Sequence, residues 1–237
     1  MNRTLSVCFL GLALIVGISM MAVDRSVNQV QAAAQAAPLQ RGISVQMVVT
    51  SDASAVPEAD STDAWIVTVT KNGDLYFGVD LVTPENLLHA MKVRPRNRGQ
   101  ELYIKADGRA PSASVRRVLE IAHEDFFRKV ILLTAQPTDV QPGTIVPPSG
   151  LTLWIERVAA EPVVVHIHAG QDGPTLEVNN ERIPFDALQR KLEDSLEGRG
   201  DRVVVLKAGR ALFADMAQVV DVCNMAGAEA VLGEPEI

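Results

Sequence analysis

Two histidines are the first candidates for chemistry in this sequence. His166 and His168 stand two residues apart in an apolar run that is typical of a strand, so both side chains would project from one face. That spacing suits a pair of metal ligands, but the sequence places no third histidine or cysteine to complete a site. We therefore predict an ordinary exposed strand face here and no metal site.

Two short basic segments could suggest phosphate cradles. Residues 105–109 read KADGR and residues 207–210 read KAGR, without the glycine-rich turn followed by Lys and Ser or Thr that a phosphate loop needs. Each is read as a strand end and turn with solvated charges. His89 and His123 stand singly on predicted helices, and no nucleophile motif or paired carboxylates occur. The sequence predicts no enzyme, no catalytic residue and no cofactor.

Charge and cysteine content exclude further classes. The net charge of −7 and the pI of about 5.1 argue against nucleic acid as a partner, because phosphate binding needs a basic face. Cys8 and Cys223 are the two cysteines, too few for a disulfide framework. Cys8 lies in an apolar run and Cys223 on a predicted helix face. We interpret both as small buried apolar residues.

The strands and helices that must position these residues are predicted by a sequence pattern that occurs twice, about a hundred residues apart. The two copies share a strand, a helix opened by Pro84 or Pro184, a strand ending in Lys-Ala, and a second helix. Their lead-ins, residues 42–47 and 150–155, also correspond. Two units of this length indicate two similar small domains rather than a solenoid, which needs at least three stacked repeats. The two copies could pack together as a pseudo-dimer.

The local signals define an α+β fold. Asn72-Gly73 predicts a type I′ hairpin turn, Asp172-Gly173 stands at the same place in copy two, and Thr83-Pro84 starts a helix. The predicted helices cover residues 84–92, 112–128, 185–196 and 212–226, with Gly227 ending the last one. Each copy is predicted to be a β-β-α-β-α-β lobe, a small sheet with two helices on one face.

The N-terminus carries a membrane signal. Residues 5–23 form 19 uncharged residues, about 28 Å of helix, preceded by Arg3, which favours a cytoplasmic N-terminus. The alternative is a cleaved signal peptide with an A-x-A-like site within residues 31–37. The predicted organisation is a transmembrane anchor or signal peptide (1–23), a stalk (24–41), lobe 1 (42–135), a Pro-rich linker (136–149) and lobe 2 (150–237).

The order of the predicted elements and the local sequence motifs of the two copies resemble those of one protein family. Ile104-Lys105-Ala106-Asp107 and Val115-x-x-Val118-Leu119-Glu120 in copy one match motifs of the ExbD/TolR family of biopolymer-transport proteins. Lys207-Ala208 and Val219-Val220-Asp221, followed by Ala226-Gly227, match them in copy two. The resemblance covers about residues 42–134 and 150–232.

The resemblance implies a role and partners. It implies a single-pass inner-membrane accessory subunit of a transport system, with its bulk on the periplasmic side. It also implies a polytopic partner of the ExbB/TolQ/MotA type, with a cell-envelope component as a further partner. Family members use an intramembrane aspartate as a proton relay, whereas residues 5–23 contain no ionisable side chain and Asp24 only follows them. We therefore expect export-side binding and coupling without a relay; the alternative is a secreted or periplasmic binding module that keeps the lobe fold.

Overall fold

The described part of the chain alternates short strands with four helices. The computed structural model describes residues 42–97, 99–136, 147–170 and 173–233. Its first half contains β1 (Ser54–Ala55), β2 (Trp65–Val69), β3 (Leu75–Phe77), β4 (Asp80–Val82), α1 (Pro84–Val93), β5 (Leu102–Ala106), α2 (Ser112–Glu124) and β6 (Lys129–Thr134). A 3-10 turn, Pro57–Asp60, precedes β2.

The second half follows after the segment outside the described residues. It contains β7 (Ser149–Trp154), β8 (Val163–His168), β9 (Thr175–Val178), β10 (Glu181–Ile183), α3 (Leu188–Leu196), β11 (Val203–Ala208), α4 (Phe213–Met225) and β12 (Glu229–Leu232). A 3-10 turn, Phe185–Ala187, leads into α3 and occupies the start of the helix predicted at 185–196.

All strands belong to one mixed sheet, which confirms the α+β class. The order is β10-β9-β8-β11-β12-β7-β6-β5-β2-β3-β4, and β1 pairs with β7. The prediction of a separate small sheet in each copy is wrong, because β7 joins the halves. It is antiparallel to β6 over six residue pairs and contacts β12 in parallel through Trp154 and Val231. Gly150 permits the close β6–β7 approach, since a side chain there would collide with Ile131.

The strand pairings run in the same order in each half. β4-β3-β2-β5-β6 and β10-β9-β8-β11-β12 have antiparallel pairs at the outer end and parallel pairs towards the centre. The predicted β-β-α-β-α-β order lacks two strands per half, β1 and β4 in the first and β7 and β10 in the second. β4 and β10 are three residues long and mostly exposed, so no hydrophobic alternation marks them.

The helices cover one face of the sheet. Their buried side chains share one cluster with the inward-facing residues of the central strands, among them Val67, Ile104, Leu132, Val165 and Leu206. A smaller cluster lies on the opposite face of the first half, where Ile66, Tyr103, Ile131 and Leu133 pack under Met47, Val56, Ala59 and Ala64. The segment before β2 therefore covers the second face of the first half.

Helix starts and ends follow local sequence. Thr83 caps α1, its hydroxyl accepting the N–H of Asn86 at 3.3 Å, and Gly227 follows α4 with φ of 66°. The predicted type I′ turn is wrong: Gly73 has φ of 87°, but Asn72 is not among the residues with positive φ. The loop spans residues 70–74, because Thr70 pairs with Asp74 through its backbone N–H and hydroxyl.

Four predictions fall wholly or partly outside the described residues. These are the membrane span with Cys8, the stalk, most of the Pro-rich linker, and the second hairpin turn at Asp172. Among the residues that are described, no helix is long and apolar enough to cross a membrane.

Candidate interaction surface

The histidine pair lies on the sheet face opposite the helices, where His168 is half exposed but His166 is buried, so the prediction of an exposed strand face is wrong for His166. Val165 and Ile167, which alternate with the histidines, belong to the helix-side core. The rings of His166 and His168 are 6.0 Å apart and nearly parallel, and His168 Nε2 lies 3.7 Å from Oε2 of Glu177. No three potential ligands converge on a metal position within residues 42–97, 99–136, 147–170 and 173–233. His89 and His123 are exposed on α1 and α2 and stand apart from this pair.

The KADGR segment builds an ionic clamp. Asp107 is buried, and Arg109 donates to it through Nε at 2.8 Å and Nη2 at 2.9 Å. The backbone N–H groups of Arg109 and Gln46 also donate to this carboxylate, at 3.0 and 3.1 Å. Hydrogen bonding by the Arg109 guanidinium, with these backbone donors, holds the pKa of Asp107 well below its usual range. The predicted solvated turn is thus a buried tie between β5 and the lead-in segment.

The two Lys-Ala loops meet each other. Pro111 and Leu212 form an antiparallel bridge, flanked by Ser112 N–H to Ala211 O at 3.1 Å and Phe213 N–H to Ala110 O at 2.8 Å. We call this contact, residues 110–112 with 211–213, the seam. Because α2 and α4 both start there, the seam fixes the two second helices side by side.

Asp221 adds a second tie between the halves. This buried residue of α4 accepts the backbone N–H groups of Ser51 at 2.8 Å and Asp52 at 2.9 Å. A carboxylate of the second half therefore holds the backbone just before β1 of the first half. The sequence placed Asp221 in a helix motif but did not indicate this contact.

Cys223 and Tyr103 are chemically quiet. Cys223 is fully buried in the core cluster, which confirms its expected role as a buried apolar residue, and this burial raises the pKa of its thiol to about 12. Burial and the nearby Glu101 and Glu58 likewise raise the pKa of Tyr103 to about 12. Tyr103 lines a groove of about 410 Å³ that also contains Glu58, Asp63 and Glu101. The groove thus presents an acidic wall and a phenol that stays protonated near neutral pH.

Phe126 combines high exposure with a left-handed backbone conformation. It is 84% exposed and has φ of 64°, a left-handed conformation that costs most side chains about 1–2 kcal/mol. Its N–H donates to His123 O and the next N–H, of Phe127, donates to Ala122 O, both at 2.9 Å. The helix predicted to run to residue 128 therefore ends at Glu124, in a left-handed turn.

The second half makes the same turn with glycine. Gly227 has φ of 66°, its N–H donates to Asn224 O at 2.8 Å, and the N–H of Ala228 donates to Cys223 O at 2.9 Å. Glycine is the residue this turn favours. In the first half a phenylalanine takes this position, although its backbone disfavours a positive φ and its apolar ring is left exposed to solvent. Such an outlier points to a function.

Arg96 holds the two residues on either side of Phe126 in place. Arg96 donates to Asp125 O at 2.7 Å, and its guanidinium carbon lies 3.9 Å from the centroid of the Phe127 ring. The neighbouring Arg94 lies over Trp65 and Phe77, at 5.6 and 5.2 Å. The Arg96 contacts hold residues 94–97 against the turn after α2, and the Arg94 contacts hold them against β2 and β3. Phe126 thus projects from a supported base rather than from a loose loop.

Replacing Phe126 by glycine should stabilise the fold. Phe126→Gly removes the left-handed strain and forfeits little buried area, so we expect the free energy of unfolding to rise by about 1 kcal/mol. Urea denaturation followed by circular dichroism measures it. The matched control is Gly227→Ala, which should lower stability by about 1 kcal/mol, because it introduces the same strain. A destabilised Phe126→Gly variant would mean that Phe126 is a packing residue and not a presented one.

Comparison of the chain with protein-family models, with curated proteins and with solved structures gave no match in any of the three.

Proposed function

We propose that this chain is a membrane-anchored, export-side accessory subunit of an ExbB/ExbD-like transport system, and that it acts by binding and coupling. The observation that carries the proposal is the repeated strand order of the two halves, joined through one sheet. That arrangement is what a covalent pair of ExbD/TolR-like lobes would produce. Its partner would be the polytopic channel protein that the resemblance implies.

The two-lobe interpretation rests on matched positions. The seam pairs Pro111 with Leu212, and these residues open the second helix of each half. Phe126 and Gly227 adopt the same left-handed turn after those helices. Contacts between equivalent positions are expected of a pseudo-dimer with an approximate two-fold axis. A fused pair would supply from one chain what family members assemble from two.

Phe126 is the contact we assign to the partner. An aromatic side chain held out on a rigid base resembles the anchors that dominate protein–protein binding energy, which fill apolar pockets of the other protein. Its presence in only one half makes the pseudo-dimer asymmetric, with one docking side. The expected partner surface is an apolar pocket on the export side of the channel protein.

Photo-crosslinking in native membranes tests this function. Phe126 is replaced by p-benzoylphenylalanine, and irradiation should join the chain to a polytopic membrane protein that mass spectrometry identifies. The matched control places the same group at Val158, an 86% exposed apolar residue of the second half, and should give no such product. Equal products from both sites, or only soluble proteins from site 126, would contradict the proposal.

The second candidate, a secreted or periplasmic binding module, is favoured by the alanine-rich residues 31–37. The intact mass of the protein from the same cells separates the two. A chain that begins near residues 34–38 supports the secreted module, and a chain retaining residues 1–23 supports the anchored subunit.

A further inference from the structure

We propose that the groove lined by Tyr103 binds an aliphatic polyamine, a flexible chain that carries two or more ammonium groups. Its walls come from residues 58–64, before β2, and from Asn97 and residues 99–101, before β5. The inference is independent of the transport role. It rests on a buried phenol without a hydrogen-bond partner in the described chain and on the carboxylates around it.

Tyr103 brings a phenol to the groove. Its ring belongs to the small cluster on the sheet face opposite the helices, so its polar end is the part left to face the groove. The residue is only 4% exposed, and its hydroxyl forms no hydrogen bond with another described residue. Because buried hydroxyls are normally hydrogen-bonded, this one is satisfied from the groove, by water or by a ligand that displaces it.

Carboxylates give the groove its charge. Glu58, Asp63 and Glu101 line it, and none of the described lining residues is a lysine, arginine or histidine. Burial, Glu101 and Glu58 raise the pKa of Tyr103 to about 12, so the phenol is neutral at pH 7. A neutral phenol oxygen can accept an N–H from an ammonium group whose charge the carboxylates attract.

Two basic side chains outside the lining offset part of this charge. Lys129 Nζ lies 3.0 Å from Oε1 of Glu101, and Arg94 Nη2 donates to Asp63 O at 3.3 Å. The Lys129–Glu101 pair is partly exposed, and such pairs are weak enough to exchange with another cation. Glu58 forms no ion pair with another described residue. The groove therefore attracts a cation, with Lys129 as a competitor.

The arrangement favours an extended organic cation. Within the described chain no three His, Cys, Asp or Glu side chains surround a common metal position, so the three carboxylates act separately. A polyamine can offer a different ammonium group to each of them. The groove volume of about 410 Å³ is in the range of small-molecule sites, and the amide groups of Asn97 and Gln100 add hydrogen-bonding positions.

The second half provides an internal contrast. The strand residues 103–106, Tyr-Ile-Lys-Ala, correspond to residues 205–208, Val-Leu-Lys-Ala, so Val205 stands where the first half has Tyr103. The lead-in of the second half is β7, which pairs within the sheet, whereas the segment before β2 covers the sheet face in the first half. Among the matched elements, the phenol and its wall thus belong to the first half alone.

Calorimetric titration of the full chain in detergent with spermidine at pH 7 and low salt tests the proposal. We expect one saturable site per chain, weakened by added NaCl. Tyr103→Phe keeps the ring and should weaken binding about tenfold, and Glu58→Gln about threefold. Lys129→Met should tighten binding, because it removes the competing cation. Asp194→Asn, at an exposed position on α3, is the control and should leave the affinity unchanged.

Three results would overturn the site. One is the absence of saturable spermidine binding by the wild-type chain. Another is unchanged affinity in Tyr103→Phe and Glu58→Gln, which would place any bound spermidine elsewhere. The third is saturable binding of a lysine-rich peptide, but not of spermidine, which would make the groove a site for protein side chains. Both variants should unfold at the wild-type urea concentration, because the hydroxyl of Tyr103 has no partner in the described chain and Glu58 is exposed.

Discussion

Replacing Phe213 by alanine should lower the free energy of unfolding by about 3–5 kcal/mol, as expected for a fully buried phenylalanine. Phe213 is completely buried, and it opens α4 at the seam, where its N–H bonds Ala110 O at 2.8 Å. The cavity would lie in the core cluster that both halves share. Urea denaturation should therefore show a single transition at a lower midpoint, without a stable half left behind.

Phe185→Ala is the matched control. This phenylalanine belongs to the same half but is 38% exposed, so its truncation should cost at most about 1.5 kcal/mol. Equal losses in the two variants, or a Phe213→Ala transition split into two steps, would show that the seam does not unite the halves.

Asp107→Asn should destabilise the protein by about 1.5–3 kcal/mol at pH 7, the usual range for hydrogen bonds to a charged group. The clamp around Asp107 has four donated hydrogen bonds, from two nitrogens of the Arg109 side chain and from the backbone of Arg109 and Gln46. An asparagine side chain has only one acceptor oxygen. Its NH2 group would face N–H donors and could not accept the hydrogen bonds that the second carboxylate oxygen accepts.

The same clamp predicts a pH dependence with a definite sign. The pKa of Asp107 is lowered in the folded chain, mainly by the Arg109 side chain. Its stabilisation is therefore complete above the unfolded pKa of about 3.9 and is lost as pH falls through the folded value. The stability difference between wild type and Asp107→Asn should shrink below about pH 4.

Asp194→Asn, at an exposed position on α3, serves as the control for the loss of one carboxylate. Its stability should stay within about 0.5 kcal/mol of the wild type at pH 7. A constant difference between wild type and Asp107→Asn from pH 7 to pH 2 would show that the carboxylate charge is not what stabilises the clamp.

Local signals predicted the elements well. Val163–His168 is a strand from end to end as expected, Thr83 caps α1, and Gly227 ends the turn after α4. Each depends on a few neighbouring residues: an apolar β-branched run, a side-chain oxygen with proline behind it, or a residue free to take positive φ. Such features need no knowledge of the rest of the fold.

The pairing of the strands could not be predicted from the sequence. β4 and β10 exist because β3 and β9 pair with them, and their own residues carry no strand pattern. The β6–β7 ladder likewise depends on a pairing across the segment between the halves, from Thr134 with Ser149 to Lys129 with Trp154. Nothing local in the two copies distinguishes one shared sheet from two separate ones.

The candidate sites were missed for the same reason. Phe126 lay inside a predicted helix, although its alignment with Gly227 could have marked it as the left-handed residue after α2. Asp221 gains its role only from its hydrogen bonds to the distant backbone of Ser51 and Asp52. In both cases the informative signal is a comparison between copies or a long-range contact, not a motif.

Hydrogen exchange tests most directly whether the two halves form one body. Amides of residues 65–69 and 102–106 report on the first half, and those of 163–168 and 203–208 on the second. Measured at increasing urea below the unfolding transition, both sets should converge on one free energy of opening, because they share a sheet, a seam and a core. If the strands of one half open at a free energy lower by more than about 1 kcal/mol, the halves are separate domains and the fused pseudo-dimer is wrong.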